Sequence, residues 1–123
     1  MRIFKTRLFS RWAKKVGLSD AALHVAVREI VSGLIDADLG GGVIKKRIAA
    51  RGHGKRGSFR TLIAYRAGGS VYFVYGFEKN DRENISHQEL AALRLLAKHL
   101  LAYTAREWEV SVTAGELVEI ENE

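Results

Sequence analysis

Apolar residues recur at helical spacing over the first quarter of the chain and at extended spacing through the middle. From Lys5 to Val16, Leu8, Phe9 and Trp12 share one helical face and Val16 extends it. Gly17 predicts the stop, in the position just past the last turn. Ser19 predicts the next N-cap, with Asp20 in the first turn. Leu23, Val27, Ile30, Val31 and Leu34 carry a second apolar stripe, with Gly33 near its end. Two helices joined by Gly-Leu-Ser predict an antiparallel hairpin. Met1–Phe4 predicts a short strand ahead of them.

The period then changes. Asp36 to Gly42 reads as a loop, with glycine at 40, 41 and 42. Strands are predicted over 43–50, 58–67 and 71–78, joined by a glycine-rich basic connection and by the hairpin signal Ala67-Gly-Gly-Ser70. The last of the three is almost wholly apolar, which predicts a central strand covered on both faces. Ser86 and Glu89 have capping-box spacing. Leu90, Leu93, Leu96 (or Ala97), Leu100 and Leu101 follow as the buried stripe of a third helix. Residues 116–120 alternate roughly and predict a short closing strand. The expected architecture is one α+β domain over residues 1–123, an antiparallel meander with an N-terminal helix hairpin and a C-terminal helix. An acidic segment occupies about 106–123.

Composition removes several chemistries. The 123 residues include no cysteine and no proline. Disulfides, thiolate zinc sites, iron–sulfur clusters and a cysteine nucleophile are excluded. No apolar run approaches the ~18 residues of a membrane span, and residues 1–7 lack the apolar stretch of a signal peptide. The expected location is the cytoplasm. Net charge is +6, unevenly spread: residues 1–82 hold 17 Lys/Arg against 6 Asp/Glu, and residues 83–123 hold 3 against 8. A basic body with an acidic tail points to a polyanionic partner.

The basic residues concentrate on the meander. On the first strand, alternation puts Lys45 and Arg47 on one face and Lys46 on the apolar face with Ile44 and Ile48, where it must sit at an edge or snorkel. Antiparallel pairing brings Arg60 beside the basic face. Lys55, Arg56 and Arg66 add to the cluster, and no acid occurs between residues 45 and 66. Like charges repel, so the cluster costs stability unless an anion neutralises it. A solvated basic surface is the plain alternative. Lys79, Asn80 and Arg82 follow the last apolar strand and can project toward the same anion, or serve a polar turn. Gly52-His-Gly-Lys-Arg-Gly57 fits a dinucleotide-binding string, but a strand rather than a helix follows it. Histidines at 24, 53, 87 and 99 have no metal-ligand spacing, so no metal is expected. The aromatics Tyr65, Tyr72, Phe73, Tyr75 and Phe77 can stack on bases, though strand aromatics are more often core.

The ordered set Arg7-Leu-Phe-Ser-Arg-Trp-Ala-Lys-Lys15, Asp36 through Ile48, Gly52-His-Gly-Lys-Arg-Gly-Ser-Phe-Arg60 and Phe73-Val-Tyr-Gly-Phe-Glu-Lys-Asn80, followed by Asn84-Ile85, resembles the RelE/ParE superfamily of type II toxins. Within it, the chain looks like the HigB-type RelE branch. The resemblance implies an endoribonuclease that cuts messenger RNA on the ribosome through attack of a ribose 2′-hydroxyl. It implies no cofactor, and a cognate antitoxin, of helix-turn-helix type, as partner. Carried over by position, Lys45, Arg47, Arg60, Lys79 and Arg82 become catalytic. Lys46, Lys55, Arg56, Arg66, Asn80 and His87 are expected to contact substrate. An acidic antitoxin segment is expected across the cationic face. The best-known pattern has a tyrosine after the last strand, where this chain has Asn84, Ile85, Ser86 and His87. His87 can substitute as a base, or be a polar residue in the helix's first turn. A ParE-like gyrase inhibitor and a plain nucleic-acid-binding module are the competing readings.

Overall fold

The computed structural model describes residues 1–49 and 58–121. Its elements run β1 (Ile3–Thr6), α1 (Arg7–Val16), α2 (Asp20–Val31), β2 (Ala37–Asp38), β3 (Val43–Ala49), β4 (Ser58–Tyr65), β5 (Val71–Glu78), α3 (His87–Leu101), α4 (Ala105–Thr113) and β6 (Leu117–Ile120). All six strands form one sheet in the order β2-β3-β4-β5-β1-β6. β3, β4 and β5 are the expected antiparallel meander. β1 lies parallel to β5 and antiparallel to β6.

Helices cover both faces. On one, Phe9 and Ala13 of α1 and Leu23, Val27 and Ile30 of α2 pack against Ile44, Ile48, Ile63 and Phe73. On the other, Ala97 and Leu100 of α3 pack against Val43, Leu62, Tyr72 and Val74. Trp108 of α4 lies 5.5 Å from the Phe4 ring and donates its indole N–H to the Tyr72 hydroxyl at 2.6 Å. Double coverage explains the unbroken apolar run of β5.

Local chemistry sets the helix ends. The Thr6 hydroxyl accepts from the Phe9 N–H, so α1 starts at Arg7 and not at Lys5. Lys5 and Thr6 are held instead in β1 by pairing with β6. Gly17 ends α1 with φ 75°, a left-handed conformation that glycine adopts without a Cβ clash. Both halves of the Ser86–Glu89 capping box form at the start of α3.

Two features differ from the sequence expectation. Ala37–Asp38 is a short edge strand on β3, not loop. The acidic tail contains a helix, α4, started by a second capping box between Thr104 and Glu107. The expected closing strand is present as β6, which extends the sheet beyond β1, with Glu119 ion-paired to Arg2 at 2.7 Å.

β5 also carries an irregularity. Leu62 pairs with Tyr75, but the next residue, Ile63, pairs with Phe73, so Val74 is one residue more than β4 needs. Such a bulge resets the alternation of faces. Val74 and Tyr75 both join the cluster under α3. Gly76 consequently faces α1, where a Cβ would stand 2.2 Å from a Trp12 ring carbon. Only a residue without a side chain admits Trp12 there.

Candidate functional site

Two rows of side chains cross the α3 face of the meander. The register aligns Lys45 of β3, Leu62 of β4 and Tyr75 of β5 in one row. It aligns Arg47, Arg60 and Phe77 in the next. Directly opposed residues on antiparallel strands have Cβ atoms about 4.5–5.5 Å apart. Arg47 and Arg60 are therefore neighbouring cations by construction.

Their surroundings differ. Arg47 is exposed, and Asp36 is spent on the edge of the sheet: its carboxylate accepts the Arg47 backbone N–H at 2.5 Å. Lys45 is half-buried. Arg60 is only 7% exposed, and its guanidinium donates to the Ser58 hydroxyl. Among the described residues no ion pair forms at Lys45, Arg47 or Arg60. A buried cation without a counter-charge is costly. A bound anion removes that cost.

Arg82 stands beside the second row in a different state. Its guanidinium lies 5.6 Å from the centre of the Phe77 ring and 3.4 Å from the Tyr75 hydroxyl. It grips Glu89 with two bonds, at 2.5 and 2.9 Å, and donates to the Asn84 carbonyl at 2.9 Å. Glu89 also accepts the Ser86 N–H within the capping box. The Arg82 guanidinium, helped by that N–H, holds the Glu89 carboxyl down to about 2. Glu89 in turn raises Arg82 above its ordinary value. The start of α3 is thereby tied to the cation face.

A family model for the RelE toxin of the RelE/RelB toxin–antitoxin system matches residues 1–120. The chain belongs to the RelE toxin family. No curated protein matches it. Membership makes the chain a toxin of a toxin–antitoxin system, with a cognate antitoxin as its partner. No helix among the described residues is long and apolar enough to cross a membrane.

Within this RelE toxin the fold gathers Lys45, Arg47, Arg60 and Arg82 around one face. Lys79 and Asn80 are exposed in the turn after β5, and His87 is the exposed first residue of α3. Two expected substrate contacts are carried elsewhere. Lys46 points through the sheet to the α2 side, where its ammonium pairs with Glu29 at 2.9 Å and donates to the Leu34 carbonyl at 2.9 Å. It is a structural lysine of the β3–α2 interface. Arg66 lies past the opposite end of β4, six residues and roughly 20 Å of strand from Arg60. Lys55 and Arg56 lie outside the described residues. The toxin's face also includes Tyr75 and Phe77, which composition alone does not separate from core aromatics. Their placement on this side of the sheet, Tyr75 half-buried and Phe77 buried, follows from the Val74 bulge, and nothing in the sequence marks that bulge.

Proposed function

We propose that this toxin is an endoribonuclease that cuts messenger RNA on the ribosome and so inhibits translation until its antitoxin neutralises it. The observation that carries this reading is the recessed Arg60 directly opposite Arg47, with no acid paired to either among the described residues. In the proposed reaction a ribose 2′-oxygen attacks the adjacent phosphorus and loses its proton. The bond to the 5′-oxygen breaks and that oxygen gains a proton. The products are a cyclic 2′,3′-phosphate and a free 5′-hydroxyl. Negative charge collects on the phosphoryl oxygens at the transition state, where fixed cations act most strongly. Arg60 and Arg47 hold those oxygens, and a guanidinium fork suits them. Lys45 contributes from the adjacent row. Lys79 and Arg82, in the connection between β5 and α3, complete the cation set, and Asn80 and His87 flank the substrate there. The protein's own cations supply the charge, so the reading requires no metal. Tyr75, half-buried, offers ring surface to a base beside the scissile phosphate.

Single-turnover cleavage of messenger RNA on programmed ribosomes tests the reading. Arg60→Ala should slow cleavage by about 100-fold or more while binding changes less. Arg60→Lys should remain impaired, because it keeps the charge and loses the fork. Arg47→Ala, at an exposed position, provides a second test free of folding effects. Full activity in both alanine variants would sink the proposal.

A further inference from the structure

A groove of about 480 Å³ lies away from the cation face, between the first turns of α1, the C-terminal half of α3 and the start of β6. Leu8, Leu96, Leu100 and Leu117 line it, and Arg7 and Arg11 stand along it. Leu8 is 61% exposed and Leu96 36%. Exposed leucines over a buried apolar base mark a contact surface more than they serve the fold.

Charge narrows the occupant. α1 contains no acid, and its cations at 7, 11, 14 and 15 fall within about 100° of the helix circumference. Arg7 is held in place by the carbonyls of Ala114 and Gly115, at 3.3 and 2.9 Å. Arg11, Lys14 and Lys15 make no ion pair among the described residues. Glu116 is the single acid in the lining against two arginines. We propose that this groove is the docking site for an acidic amphipathic segment of the cognate antitoxin, with apolar side chains on Leu8 and Leu96 and carboxylates along α1. An RNA backbone would satisfy the arginines and leave both leucines uncovered, so the apolar lining favours a protein segment. The inference rests on the toxin–antitoxin partnership and is independent of the cleavage chemistry. It places the antitoxin on the far half of α3, away from Arg47 and Arg60. The same helix carries Glu89, the partner of Arg82, seven residues before Leu96, so one helix joins the docking groove to the cation face.

The test uses the full chain and its cognate antitoxin, with affinity measured by calorimetry. Leu8→Glu and Leu96→Glu should each weaken binding at least 10-fold, while thermal stability and cleavage stay at the parent level. In cells, the antitoxin should no longer rescue growth from either variant. Arg11→Glu should weaken binding too, and flatten its dependence on salt. Arg47→Glu should leave affinity unchanged. Unchanged affinity in both leucine variants would overturn the proposal, as would loss confined to Arg11→Glu, which denotes contact by charge alone. Hydrogen exchange of the parent complex gives a check that needs no variant: protection should appear at residues 6–11 and 96–103, and protection confined to β3 and β4 would refute the site. Arg60→Ala toxin should still bind antitoxin at parent affinity, so a failed groove and a failed cleavage reading give different results.

Discussion

Arg47 and Arg60 sit directly across from each other on β3 and β4, two like charges on one face of an antiparallel pair. Cross-strand pairs of this kind change stability by about 0.2–1 kcal/mol, and like charges lower it. Arg47→Gln should therefore raise stability by an amount in that range while impairing cleavage. Phosphate should stabilise the parent more than chloride does at equal ionic strength, and the difference should shrink in the variant. Thermal unfolding in matched buffers reads both effects.

Acid should reveal the Arg82–Glu89 bond. The Glu89 carboxyl is held down to about 2 in the folded chain, from 4.5. Below pH 4.5 the unfolded chain takes up a proton that the folded chain refuses. The stabilisation is thus complete above pH 4.5 and is lost as pH falls toward 2. Glu89→Gln should lower stability at neutral pH, and its deficit should close across that interval. Denaturant unfolding of both proteins between pH 2 and 7 is the measurement.

Lys45 and Lys46 should separate by phenotype although they adjoin in sequence. Lys46→Ala breaks the pair with Glu29 and the bond to the Leu34 carbonyl. A loss of about 1.5–3 kcal/mol is expected for such charged contacts, with cleavage intact at temperatures where the variant is folded. Lys45→Ala should do the reverse, keeping the melting temperature and lowering activity.

Gly76→Ala should destabilise the fold by about 1–3 kcal/mol, the usual cost of forcing a methyl into a packed core. The added carbon falls 2.2 Å from Trp12. A double variant with Trp12→Leu should recover part of the loss. Melting temperatures of the two variants decide it.

Much of this arrangement was legible in the residues. Alternation on β3 placed Lys45 and Arg47 together and sent Lys46 to the other side, where it does reach a partner. The Ser86–Glu89 spacing marked the start of α3, and Gly17 marked the end of α1. These signals are local, so a linear reading finds them. Thr104 and Glu107 carried the same capping signal for α4, masked by the acidity of the tail. The parallel pairing of β1 with β5 had no local signal, because it joins segments about 68 residues apart. Arg66 is close to the cluster in sequence and distant from it in space. Six extended residues carry a side chain to the other end of a sheet.

The extra residue at Val74 gives β5 two phases. Before it, the odd-numbered positions Val71 and Phe73 lie toward α1; after it, Tyr75 and Phe77 lie toward α3. Changes of length in this strand are consequently unequal. A chain lacking Val74 would return to strict alternation and keep every remaining side chain on its present side. A chain lacking Gly76 would turn Phe77 away from Arg60 and fill the gap that Trp12 occupies. The cation face and the core beneath α1 therefore share one tolerance for insertion and deletion, fixed by a stretch of three residues.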